Sequence, residues 1–157
     1  MDERPLGTTG YGVTEVGMGT WNIGGDWGDV TDEQGRAAIE AALDAGVNFL
    51  DTADVYGDGR SERLIREVLA EREEGPVVAT KAGRRLDPHE PDRYTEANLR
   101  RFVDRSRGNL GVETVQIIFN PFRQRPRDLF FDRARSRNVG VIVRVPLASG
   151  LVTRAGA

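Results

Sequence analysis

Asn48-Phe-Leu-Asp-Thr-Ala-Asp-Val-Tyr-Gly57 is the stretch on which the fold turns. Gly46 precedes it, and the apolar run Val47–Asp51 predicts a buried strand entered from a helix. The strand ends on a carboxylate, Asp51, and a phenol, Tyr56, follows five residues later. In α/β folds, ligands gather at the carboxyl ends of parallel strands, so both groups are expected at the mouth of a sheet. The next apolar run, Pro76-Val-Val-Ala-Thr80, ends at Lys81 and so places an ammonium on the same rim. An unpaired ammonium there is poorly solvated, which makes Asp51 its natural counter-ion. A cation beside a phenol favours the ionised form, so Tyr56 is expected to be drawn toward useful acidity. Of the 22 basic residues, Lys81 is the only lysine. Arginine stays charged, whereas lysine is a compact charge that its surroundings can tune, so the exception stands where chemistry wants it.

Working outward, strands and helices alternate. Residues 4–16, with three glycines, suggest a small hairpin. Val16–Trp21 reads as a first strand and leads into a glycine-rich loop. Thr31 with Gln34 forms a capping box for a helix ending at Gly46. Ser61 opens a second helix with Leu64, Ile65, Val68 and Leu69 on one face. Thr95 caps a third helix, in which Leu99, Phe102 and Val103 face inward. Thr114–Phe119 is a fourth strand, Pro126 starts a helix running through Ala134, and Val139–Val145 is a fifth strand. This alternation predicts an α/β fold with a parallel sheet. A closed (β/α) barrel takes eight strands and about 250 residues. The expectation is therefore one domain over 1–157, a truncated TIM-barrel-like fold of about five parallel strands with an N-terminal β-hairpin. Open parallel edges invite pairing with a second copy, so a homo-oligomer is expected.

Composition narrows the function. A net charge of −3 with arginines scattered among acids gives no electrostatic case for nucleic acid. No cysteine is present, which excludes disulfides, thiolate metal sites and a thiol nucleophile. No apolar run reaches the ~18 residues of a membrane span, and the N-terminus lacks a signal core, so a cytoplasmic protein is expected. Asp54, Asp58 and Asp87 lack metal-ligand spacing and read as surface acids, and no metal is expected. The glycines near Gly24 and Gly25 do not make a dinucleotide fingerprint.

Phe49-Leu-Asp-Thr-Ala-Asp-Val-Tyr-Gly57, with Ser61-Glu62 after it, resembles the signature of the aldo-keto reductases. Val77-Val-Ala-Thr-Lys81 is similar to that family's lysine strand. Pro5-Leu-Gly-Thr-Thr-Gly10 through Gly17-Met-Gly-Thr-Trp21 is similar to its hairpin and first strand. Gln116-Ile-Ile-Phe-Asn120 and Arg144-Val-Pro-Leu-Ala-Ser-Gly150 resemble its sixth and seventh strands. The resemblance implies reduction of aldehydes or ketones with NADPH in an eight-stranded barrel. It makes Tyr56 the acid, Lys81 the cation beside it and Asp51 the partner of Lys81. It places Gly19, Thr20 and Trp21 near nicotinamide and substrate, Gln116 on the carboxamide, and the backbone around Leu147 and Ser149 beside the pyrophosphate.

The departures are equally specific. The family's histidine at the end of its fourth strand and the Ser-Asn pair after its fifth have no counterpart. Instead Leu110-Gly-Val-Glu-Thr114 runs directly into the strand carrying Gln116. A final strand and the basic cluster for a 2′-phosphate are missing, and Arg144 stands where many members have a stacking tyrosine. His89, in a polar loop flanked by prolines, reads as a solvated histidine rather than a replacement. Asn120 is the better geometric candidate, since its amide can donate to a carbonyl oxygen, though it carries no charge. The expectation is an NADPH-dependent reductase of a small carbonyl substrate with weakened activity. The alternative is a noncatalytic barrel remnant serving as a scaffold or interaction module.

Overall fold

The computed structural model describes residues 1–6, 9–25, 28–73, 75–88 and 90–110, Asp132, and the backbones of strands at 114–118 and 141–144. The hairpin forms as expected, with β1 (Glu3–Pro5) antiparallel to β2 (Gly12–Thr14). Asn48 fastens it to the main fold. Its side-chain oxygen accepts the Thr14 N–H at 2.6 Å, and its amide donates to the Gly12 carbonyl at 3.1 Å and the Glu3 carboxylate at 3.0 Å. The Thr14 hydroxyl accepts the Asn48 backbone N–H at 3.2 Å, so both the backbone and the side-chain amide of Asn48 bind the hairpin.

The main sheet is parallel, in the order β3 (Met18–Gly19), β4 (Phe49–Asp51), β5 (Val77–Lys81), β6 (Thr114–Ile118) and β7 (Val141–Arg144). Five strands were expected, and among the described residues five pair. The first is shorter than the sequence suggests. Beyond Gly19 the Ile23 and Gly24 N–H groups bond back to the Thr20 and Trp21 carbonyls, so the chain coils into a turn instead of extending the ladder. β5 pairs directly with β6, Lys81 opposite Gln116, as the run of residues 110–114 into that strand predicts.

The helices follow their local signals. Thr31 and Gln34 form the full capping box of α1 (Asp32–Asp44), and Gly46 ends it in a left-handed conformation, φ 86°. The second helix, α2 (Arg60–Ala70), starts one residue before Ser61, behind the left-handed Gly59. Ser61 is not its cap because its hydroxyl is engaged inside the fold. Thr95 caps α3 (Glu96–Leu110), its hydroxyl accepting the Asn98 N–H at 3.3 Å. Of the helix expected at 126–134, only Asp132 is among the described residues, and it is helical.

Ile39 of α1, Leu64, Ile65 and Val68 of α2, Leu110 of α3, and Leu50 and Val78 of the sheet form one core. Full burial of side chains of this size contributes about 1.5–3 kcal/mol each. The pattern also sets the site. Alternate strand residues face opposite ways, so with Leu50 and Val78 against the helices, Asp51, Ala79 and Lys81 belong to the other face. Among the described residues, no helix is long and apolar enough to cross a membrane.

Candidate active site

Lys81 ends β5 almost fully buried, 7% exposed. A buried ammonium must be paired and hydrogen-bonded. Lys81 Nζ donates to the Asp51 carboxylate and, at 2.8 Å, to the Thr52 carbonyl. The same Nζ lies 5.0 Å from the centroid of the Tyr56 ring, within cation–π range. Carboxylate, ammonium and phenol therefore meet at the carboxyl ends of two neighbouring strands. The Tyr56 ring also stacks on Trp21, with centroids 6.2 Å apart and planes at 19°.

Backbone geometry holds Tyr56 there. After β4 the chain crosses toward β5, with the Thr52 N–H bonded to the Ala79 carbonyl at 2.9 Å and the Asp54 N–H to the Lys81 carbonyl at 3.2 Å. The glycine-rich loop then presses on the backbone of Tyr56 itself. A Cβ on Gly24 would stand 2.8 Å from the Gly57 nitrogen and 2.9 Å from the Tyr56 carbonyl carbon, so only glycine fits. This close approach brings Trp21, three residues upstream, over Tyr56. Arg60 fixes the loop from the other side, donating to the carbonyls of Ile23 at 3.1 Å and Val30 at 2.6 Å and to Asp32 at 2.7 Å.

The family model for the aldo/keto reductase family matches residues 15–119, which takes in all of these groups. The chain belongs to the aldo/keto reductase family. It is similar to pyridoxal 4-dehydrogenase of Microbacterium luteolum, 41% identical over 53% of this chain and 24% of that protein. It is similar as well to 6-dehydroglucose reductase of Novosphingobium aromaticivorans, 35% identical over 73% of this chain and 39% of that protein. A solved structure, an aldo-keto reductase from Klebsiella pneumoniae in complex with NADPH, shares the fold at a TM-score of 0.63 and 20% identity, over 84% of this chain and 45% of that one. The chain thus spans about a quarter to two fifths of the length of the two curated relatives.

Within this aldo/keto reductase chain the expected site residues are distributed unevenly. Asp51, Tyr56, Lys81 and Trp21 come together. Gly19 pairs with Asp51 across the first two strands, is exposed, and has open space where a Cβ would stand. Thr20 is fully buried, its N–H and hydroxyl both donating to the Asp51 carbonyl at 2.9 and 3.0 Å, so its side chain supports the rim from beneath. Gln116 lies opposite Lys81 in the ladder. Asn120, Leu147, Ser149 and His89 lie outside the described residues. Among the described residues, no group of three or more His, Asp or Glu could hold a metal.

Two buried polar clusters escaped the sequence reading. In the first, Thr52 donates to Ser61 at 2.9 Å and Ser61 to Thr20 at 2.7 Å, a hydroxyl chain ending on the Asp51 carbonyl. Its signal was present: Thr52 shares the core-facing parity of Leu50, and Ser61 shares the core face of α2. In the second, the fully buried Glu62 accepts from the Thr80 hydroxyl at 2.7 Å and the Asn109 amide at 2.8 Å.

Beside Glu62 lies a correction. Asp54, expected as a surface acid, is 1% exposed, and among the described residues neither carboxyl oxygen has a hydrogen-bond partner. Burial first, and then the Glu62 charge, push its pKa up to about 6, against the opposing pull of Arg85 and Arg105. The backbone bond to the Lys81 carbonyl draws Asp54 inward, and composition gave no hint of it. Asp58 and Asp87 are exposed, as expected. Arg105, with Arg85, holds the Asp58 carboxyl below its usual range.

Proposed function

We propose that this chain carries the carbonyl-reducing site of an NADPH-dependent aldo-keto reductase, acting on an aldehyde or ketone, within a TIM-type barrel architecture. The observation that carries the reading is Lys81, whose ammonium is shared between Asp51 and the face of Tyr56. The rim fits a nicotinamide: Gly19 leaves open space beside the half-exposed Trp21, and Gln116 stands in register with Lys81. Gly19, Trp21 and Gln116 would hold that end of the cofactor, and Leu147 and Ser149 are assigned to its pyrophosphate. A reduced nicotinamide held there would supply the hydride for the carbonyl carbon.

The chain's own residues handle the proton. Tyr56 donates its phenolic proton to the carbonyl oxygen as negative charge develops there, a contribution of typically 10²–10⁴-fold for a positioned acid. Lys81 stabilises the negative charge left on the phenol oxygen. Asp51 and the Thr52 carbonyl keep the ammonium from swinging away. Trp21, stacked on Tyr56, shields the ring from water and offers an apolar wall to the substrate. Asn120 is assigned the hydrogen bond to the carbonyl oxygen that a histidine makes in relatives. A neutral amide stabilises the developing charge less, so turnover is expected to be slow.

The test is aldehyde-dependent loss of NADPH absorbance. The chain should show it, and Tyr56→Phe should lower the rate at least 10²-fold with cofactor binding retained. Equal rates for the two proteins would remove the proposed acid. Cooperative melting with no turnover in either would instead support the scaffold alternative.

A further inference from the structure

The turn that follows Tyr56 is built in an unusual way. Gly57, Asp58 and Gly59 are all left-handed, with φ of 57°, 52° and 84°. Asp58 is the only residue of the three with a side chain, and aspartate is one of the few side chains that adopt a left-handed conformation. It is also where three arginines from three places converge. Arg105 of α3 donates to its carbonyl at 2.9 Å and pairs with its carboxylate at 3.0 Å. Arg63 of α2 donates to the same carbonyl at 3.2 Å. Arg85, four residues beyond Lys81, pairs with the carboxylate at 2.5 Å. The nitrogen of Arg85 that makes this pair also donates to the Asp54 carbonyl at 3.1 Å. One guanidinium nitrogen thus grips the chain two residues before Tyr56 and two residues after it.

A lone exposed ion pair contributes little, and Asp58 is largely exposed. What distinguishes this cluster is its placement. Its contacts bracket the residue assigned as the acid, and they connect it to the segment that leaves the lysine strand. Gly59 lets the turn lie close to α3, since a Cβ there would stand 2.7 Å from the Asn109 amide nitrogen. We propose that Arg85, with Arg105 as its backstop on Asp58, is a positioning residue that holds Tyr56 over Lys81 and against Trp21. The catalytic consequence rests on the reductase reading above, whereas the structural consequence does not.

Arg85 acts at a distance from the reacting atoms, so its removal moves the acid without removing it. The test uses the full chain in a Trp27→Phe background, where Trp21 is the remaining tryptophan and its emission reports on the Tyr56 stack. Arg85→Met should red-shift and brighten that emission as the rings separate. It should also lower kcat roughly ten- to a hundred-fold, the cost of about an ångström of misplacement, with KM changed far less. Arg85→Lys should fall between the two, because a single ammonium does not reproduce a planar fork. Asp58→Asn, which tolerates the left-handed backbone and keeps the Arg85 bond to Asp54, should shift emission in the same direction. Arg100→Ala, which removes an exposed pair with Glu96, should change neither readout. If Arg85→Met fails to fold, Asp58→Asn decides the matter. If the parent reduces no aldehyde, the reductase reading fails and emission alone judges Arg85. Unchanged emission and turnover in both variants would overturn the proposal.

Discussion

Asp54 is a carboxyl held where its charge is unwelcome. Its pKa lies near 6 in the fold, against 3.8 for a free side chain, so the folded state binds the proton more tightly than the unfolded chain does. The stabilising contribution is therefore complete below about pH 4 and is lost as pH rises through about 6. The groups acting on it are the Glu62 carboxylate of α2, Arg105 of α3 and Arg85 of the segment after β5. Asp54→Asn removes the charge and keeps the shape. It should raise stability at pH 7.5 by roughly 1–3 kcal/mol, with the gain shrinking as pH approaches 4. Urea unfolding at a series of pH values measures this directly, and a gain that grows on acidification would contradict the account. Asp54 also shows what a single sequence hides. In the signature segment it is one acid among several, and a three-dimensional hydrogen bond to the neighbouring strand decides that it turns inward. Asp51 and Lys81 were legible because each ends an apolar run, which fixes the end of the sheet to which it belongs.

At the level of elements, the strands and the three described helices were readable from period, caps and breakers. Thr31 with Gln34, and Gly46 after α1, act locally, and local signals survive in any context. The first strand and the start of α2 were misjudged by one to several residues for the opposite reason. Trp21 belongs to a turn held over Tyr56 by the close approach of Gly24 to the Tyr56–Gly57 backbone, and Ser61 serves a hydroxyl chain that involves two strands. Glycine positions separate these two kinds of constraint. Gly46 and Gly57 are both left-handed, yet a Cβ on Gly46 meets nothing within 4 Å, whereas on Gly57 it would collide with the Gly24 carbonyl. Gly46→Ala should therefore cost about 1–2 kcal/mol, the conformational term alone. Gly57→Ala should cost clearly more and displace Tyr56, lowering turnover as well. Thermal melts of the two variants check the ranking, and equal losses would show that the loop yields to the added methyl.

For the molecule as a whole, parallel strands running in chain order bring one end of each to a common rim. Gly19 stands opposite Asp51, and Lys81 opposite Gln116, so the proposed acid and the proposed nicotinamide contacts lie across four adjacent strands. The family's order of motifs is kept although β5 and β6 are direct neighbours here, which is why the family and the meeting of Asp51, Tyr56 and Lys81 were legible from motifs while the closure of the sheet was not. Titration of NADPH into the folded Trp27→Phe chain, followed by nicotinamide fluorescence together with quenching of Trp21, tests this arrangement most directly. The account predicts a saturable change in both signals that NADP⁺ competes away. A chain that melts cooperatively yet gives no saturable change at millimolar NADPH would contradict it.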